Sequence, residues 1–94
     1  MIKKIRKGMK VKVIDDGHVY PGYERMAEKL QAKRWEKDDW GIAVNGAVGI
    51  LRNSGKADGT IICLIDFKGK EVLVSVRGLK AIKGEFTQRN LLKI

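Results

Sequence analysis

The chain opens its first regular pattern at Lys10-Val11-Lys12-Val13, where polar and apolar residues alternate with period two. That period predicts a strand with Val11 and Val13 facing a core and the lysines facing water. Asp15-Asp16-Gly17 supplies turn chemistry to end it. From Tyr23 the apolar residues Tyr23, Met26, Ala27 and Leu30 fall at helical spacing, and Pro21 suits a first helical position. One helix is expected over about 21–34, with Arg25, Lys29 and Lys33 four apart along one exposed side.

Residues 35–41 read as a loop, after which 42–51 are apolar and dotted with Gly46 and Gly49. Glycine inside a strand marks a bulge or a close backbone approach, and such bends let a short sheet curl. Residues 52–60 read as a polar loop. Thr60 to Phe67 is a strong β-forming run, Lys68-Gly69 a tight hairpin, and Glu71 to Val76 its return strand. Arg77-Gly78 turns the chain into a last short strand, Leu79 to Ile82. Residues 83–94 are open between a short helix, a further strand and a frayed tail.

Strand, helix, then four short strands make a mainly β protein: a small, strongly bent five-stranded barrel with one α-helix inserted after the first strand. The expected core is Val11, Val13, Met26, Leu30, Val48, Ile50, Ile62, Leu64, Val72, Val74 and Ile82. The strand faces are its weak point, because a one-residue slip exchanges inward and outward side chains.

Ninety-four residues make a single domain, 1–94, with a basic arm at 1–7 and an unassigned tail at 83–94. A chain this short buries only roughly 60–65% of its unfolded surface. The one cysteine, Cys63, can form neither an internal disulfide nor a four-cysteine zinc site, which fits a reducing, cytoplasmic setting. No apolar run is long enough to span a bilayer, and the basic N-terminus does not read as a secretory signal, so no membrane partner is expected.

The net charge is +9 and unevenly spread. Lys3, Lys4, Arg6, Lys7, Lys10 and Lys12 carry +6 over residues 1–12 with no acid, and Arg25, Lys29, Lys33 and Arg34 against Glu28 carry +3 over residues 25–34. Such clustering favours polyanions through counterion release, although solubility alone is the competing account. Aromatics beside cations can stack on bases. Of Tyr20, Tyr23, Trp35 and Trp40, most are expected to plug an open barrel end, with Trp40, at the end of a charged loop, the exposed one.

Catalytic constellations are not evident. His18 is the only histidine, and a solvated turn accounts for Asp15-Asp16-Gly17-His18 better than a metal does. Cys63 lies mid-strand between Ile62 and Leu64, where an inert core thiol is expected. Gly49 and Gly55 have five residues between them and Ala57 follows Lys56, so the phosphate-loop pattern fails. No cofactor, metal or enzymatic activity is expected.

The segment from Gly8 to Leu30, with Val11, Val13, Ile14, Asp15, Asp16, Gly17, Tyr20, Tyr23, Met26 and Ala27, resembles a pattern in small uncharacterised proteins of tailed bacteriophages. Gly69 to Ser75 and Gly78-Leu79 match the end of that pattern. The resemblance implies a Src-homology-3-like small barrel, and it carries over no functional residues. The opening from Lys7 to Val13 also resembles the first strand of KOW and mind-bomb-type barrels. Two expectations follow. The first is a non-enzymatic, phage-encoded module binding nucleic acid or a nucleoprotein through the arm and helix face: Lys3, Lys4, Arg6, Lys7, Lys10, Lys12, Arg25, Lys29, Lys33, Arg34 and Trp40. The alternative is a phage-encoded protein that inhibits or modulates a host enzyme or defence system. Small barrels host both kinds of binding.

Overall fold

A computed structural model describes residues 5–20 and 22–82. The protein is mainly β: five antiparallel strands, β1 (Lys10–Val13), β2 (Val48–Ala57), β3 (Thr60–Phe67), β4 (Lys70–Ser75) and β5 (Leu79–Ala81), form one sheet in the order β4-β3-β2-β1-β5. One helix, α1 (Glu24–Lys29), follows β1. A 3-10 turn, Val76–Gly78, joins the edge strand β4 to the opposite edge strand β5. Ser75 sets this turn by accepting the Arg77 N–H, and the Gly78 carbonyl accepts from Ile14 and Asp15, which holds the start of β5 against the end of β1. A Cβ at Gly78 would stand 2.6 Å from the Asp15 carbonyl oxygen, so only glycine allows that approach.

The sheet buries both faces, unequally. On its concave side Val11, Val13, Leu51, Cys63, Ile65, Phe67, Val72, Val74 and Leu79 form one cluster. On the other side Ile62, Leu64 and Leu73 pack against Met26, Ala27 and Leu30. Strand β3 thus alternates between two cores, which is why its sequence is a continuous apolar run. The expected core residues are buried except Val48, Ile50 and Ile82. Ile82, after β5, is half-buried, and Val48 is 43% exposed and Ile50 half-buried because Gly49 and Leu51 face inward on β2. This is the one-residue exchange of faces to which strands are prone. Gly49 takes the inward place because Phe67 crosses it: a Cβ there would lie 2.6 Å from Ile65 Cγ2 and 2.7 Å from the Asp66 carbonyl oxygen.

Two further expectations are corrected. The segment 52–60 is strand, not loop. β2 runs on to Ala57 and turns through Asp58 and Gly59, both at positive φ (51° and 79°), the conformation that an Asp-Gly two-residue hairpin favours. Lys68 and Gly69 make the second such hairpin at φ 56° and 95°. The helix is six residues long, not fourteen, and Pro21 lies outside the described residues. Gln31 turns left-handed (φ 60°), its N–H bonds Glu28 O, and the Ala32 N–H bonds Ala27 O. That pair of bonds is a Schellman stop. Asn53 of β2 then takes the Leu30 carbonyl at 3.0 Å. The expectations for 83–94 and for residues 1–4 lie outside the described residues.

Gly49→Ala should destabilise the protein by ~1–3 kcal/mol through overpacking against backbone that cannot yield. Gly41→Ala, whose Cβ would meet nothing within 4 Å, should stay within about 0.5 kcal/mol of the parent. Denaturant midpoints of the two variants provide the measurement; equal midpoints would show that β2 and β3 do not cross so closely.

Candidate nucleic-acid interface

Where the chain leaves α1 it hooks across the outer face of the sheet. Glu71, buried at the start of β4, makes the hook: its Oε1 accepts the backbone N–H of Lys33 at 2.7 Å and also that of Arg34. Trp35 then bridges to Glu71 in parallel fashion. The hook puts the side chains of Lys33 and Arg34 beside a cleft of about 530 Å³, whose other lining includes Lys7, Gln31, Arg52, Asn53, Leu64 and Asp66.

Arg52 reaches this cleft through a β-bulge. The β2–β3 register shifts between Leu51 and Asn53, and Arg52 is the extra residue. A bulge bends its strand and re-aims a side chain. Here Arg52 lies against Asp66 Oδ2 at 2.9 Å, while Asp66 Oδ1 accepts the Gly69 N–H. Partial burial alone would raise the Asp66 pKa. The Arg52 hydrogen bond, the Gly69 N–H and the charges of Arg52 and Arg34 outweigh it and hold the carboxyl below its ordinary value.

The cleft therefore holds four cations, Lys7, Lys33, Arg34 and Arg52, and two acids that are internally engaged: Glu71 with two main-chain amides, Asp66 with Arg52 and a hairpin amide. It offers an anion several converging donors in a concave, half-sheltered setting.

The expected binding residues divide. Lys7, Lys33 and Arg34 converge on the cleft. Lys3 and Lys4 lie outside the described residues. Arg6 is exposed. Lys10 and Lys12 project from the outer face of β1, with Lys12 exposed and Lys10 half-buried. Arg25 is exposed on α1, but Lys29 donates its ammonium to the Lys56 carbonyl at 3.1 Å. The four-residue repeat Arg25, Lys29, Lys33 is not one helix face, because α1 ends before Lys33. Trp40 is 51% exposed, in a 3-10 segment Lys37–Ile42. Tyr20 and Tyr23 stack on each other at 6.0 Å, and with Trp35 they pack on the helix-side cluster, covering the sheet's outer face and not a barrel end. Arg52 was missed as a cleft residue because segment 52–60 was expected to be loop; the Asp58-Gly59 hairpin signal could have placed it on a strand.

Elsewhere, His18 Nε2 stands 3.6 Å from Asp15 Oδ2. Among the described residues no group of three or more His, Cys, Asp or Glu side chains is placed to hold a metal, and no helix is long and apolar enough to cross a membrane. Cys63 is wholly buried, and burial pushes its thiol up to about 12. No protein-family model matches the chain, and neither the curated proteins nor the solved structures contain a match to it.

Because the thiolate is the reactive form, Cys63 should resist a soluble thiol reagent at neutral pH in the folded protein and react fully on unfolding; rapid labelling of the native state would place it at the surface. Glu71→Ala should cost ~1–3 kcal/mol by leaving the Lys33 and Arg34 amides without their acceptor. Glu71→Gln, which keeps an acceptor oxygen, should recover much of that loss in a denaturation titration.

Proposed function

We propose that this protein is a non-enzymatic, phage-encoded module that binds nucleic acid or a nucleoprotein in the cytoplasm, with the cleft between α1 and the sheet as its main phosphate-contacting surface. The observation that carries this reading is the convergence of Lys7, Lys33, Arg34 and Arg52 on one cleft from three separate stretches of chain. Asp66 pairs with Arg52 and Glu71 is taken up by two main-chain amides, so Lys7, Lys33 and Arg34 have no carboxylate partner lining the cleft within salt-bridge distance among the described residues. Lys10 and Lys12 extend basic character along the outer face of β1. The phage origin rests on the resemblance of the Gly8 to Leu30 segment.

Contacts of this type recognise the backbone. Lysine and arginine neutralise phosphates without reading bases, so sequence preference is weak. Flanking Asn53 and Gln31 could add sugar or base contacts, but Asn53 already donates to the Leu30 carbonyl. Among the described residues the cleft is lined by charged, polar and aliphatic side chains, the groups that contact phosphate rather than stack on bases.

Fluorescence-labelled duplex DNA, single-stranded DNA and RNA titrated at several salt concentrations test the proposal. Each phosphate contact contributes about 0.9 to the slope of log affinity against log salt on duplex DNA, so four contacts give a slope near about −3 to −4. Lys7→Glu with Lys33→Glu should abolish binding with little effect on stability, since both side chains are exposed and the Lys33 contact to Glu71 is made by its backbone. Arg25→Glu, on the far side of the helix stop, should weaken binding much less. Salt-insensitive binding, or a double variant as tight as the parent, would remove the cleft from consideration.

A further inference from the structure

A second surface lies on the same outer side of the sheet, beyond the part that α1 covers. Register places Lys12 of β1 between Val48 of β2 and Lys80 of β5, and Lys10 beside Ile50. The Ile82 N–H bonds the Lys10 carbonyl on the other flank. Lys12, Val48, Lys80, Ala81 and Ile82 enclose a shallow depression of about 530 Å³. Its apolar lining is only partly covered: Val48 is 43% exposed and Ile82 half-buried, and Ile14, directly after β1 and outside the depression, is 45% exposed.

Two features of this depression need a cause. Single exposed aliphatics are ordinary, but Val48 and Ile82 line the same depression as the two lysines. Lys12 and Lys80 are like charges directly opposite each other on adjacent strands, which is unfavourable when nothing lies between them. An occupant that brings carboxylates to the two ammonium groups and aliphatic side chains to Val48 and Ile82 answers both.

We propose that this depression docks an acidic, aliphatic segment of a partner protein. Charge selects that occupant over the others. A second copy meeting this face through its own same face would oppose Lys12 and Lys80 with the same two cations. Residues 83–94 carry Lys83, Arg89 and Lys93 against Glu85 alone, so they too bring the wrong sign. A nucleic-acid backbone would satisfy the lysines but leave Val48 and Ile82 against phosphate and sugar. The surface is separate from the phosphate cleft, shares no lining residue with it, and stands whether or not the cleft binds nucleic acid.

The test uses the full ¹⁵N-labelled chain and three probes: a synthetic amphipathic peptide of leucine and glutamate, its counterpart with glutamine at every glutamate, and a mixed-sequence oligonucleotide. The acidic peptide should shift the amides of Val48, Ala81 and Ile82, and its glutamine counterpart should bind about tenfold more weakly. Lys12→Glu with Lys80→Glu should lose peptide binding while Lys7→Glu with Lys33→Glu keeps it. Val48→Ser, a neutral change at an exposed position, should weaken it severalfold and guards against misfolding of the charge-reversed variant. The proposal fails if the acidic peptide shifts none of these amides at millimolar concentration, or if the oligonucleotide shifts them in its place. It fails equally if the free protein shows nuclear Overhauser contacts from Val48 to residues 83–94, or dimerises through this face.

Discussion

Strand β3 is buried on both faces, and the rest of the molecule is arranged to make that possible. Cys63, Ile65 and Phe67 need one apolar layer, Ile62 and Leu64 another. The curled sheet supplies the first through β1, β4 and β5. A sheet of five short strands has no second sheet to supply the other, so α1 and the aromatics around it must cover that side. Gly55 lets the helix come down on β2: a Cβ there would sit 3.0 Å from Leu30 and 3.2 Å from Met26. Gly49 does the same service on the concave side, under Phe67.

The cover is short, and its end is where the chemistry collects. The six helical residues and Leu30 after them pack on β2, β3 and β4, and no residue of β1 or β5 belongs to their cluster. To leave the sheet the chain must turn, and the turn exposes backbone N–H groups near a buried surface. Glu71 takes two of them. A carboxylate is a strong acceptor for such amides, and burying it is tolerable because its bonds are made. The consequence is positional: Lys33 and Arg34 are carried out of the helical frame and set beside Lys7 and the bulged Arg52. The half of the outer face that α1 leaves bare is the one that bears Lys12, Lys80 and Val48. Both basic surfaces thus follow from one mismatch, a helix shorter than the sheet it covers.

Much of this was determined by local sequence. The alternation in Lys10 to Val13, the apolar run from Thr60 to Phe67, the Lys68-Gly69 turn and the Arg77-Gly78 turn each state their own conformation, because they depend on neighbours within a few residues. So does the chemistry of Cys63, whose mid-strand apolar setting predicts burial and low reactivity. The overall order of one strand, one helix and four strands follows from these pieces.

Only the tertiary structure decided which residues meet. The stop of α1 depends on Asn53 and Glu71, which lie 23 and 37 or 38 positions from the groups they bind, and no helical period in residues 21–34 contains them. The inward face of β2 was decided by Phe67, whose ring needs the space over Gly49 and so turns Val48 and Ile50 outward. Charge counts located basic stretches but not a surface, since counts follow the chain and a surface follows packing. Lys29, counted with the binding face, bonds a carbonyl on β2, while Arg52, left in a supposed loop, joins Lys7, Lys33 and Arg34. Local pattern carries short-range conformation; long-range hydrogen bonds and steric room set where the charges converge.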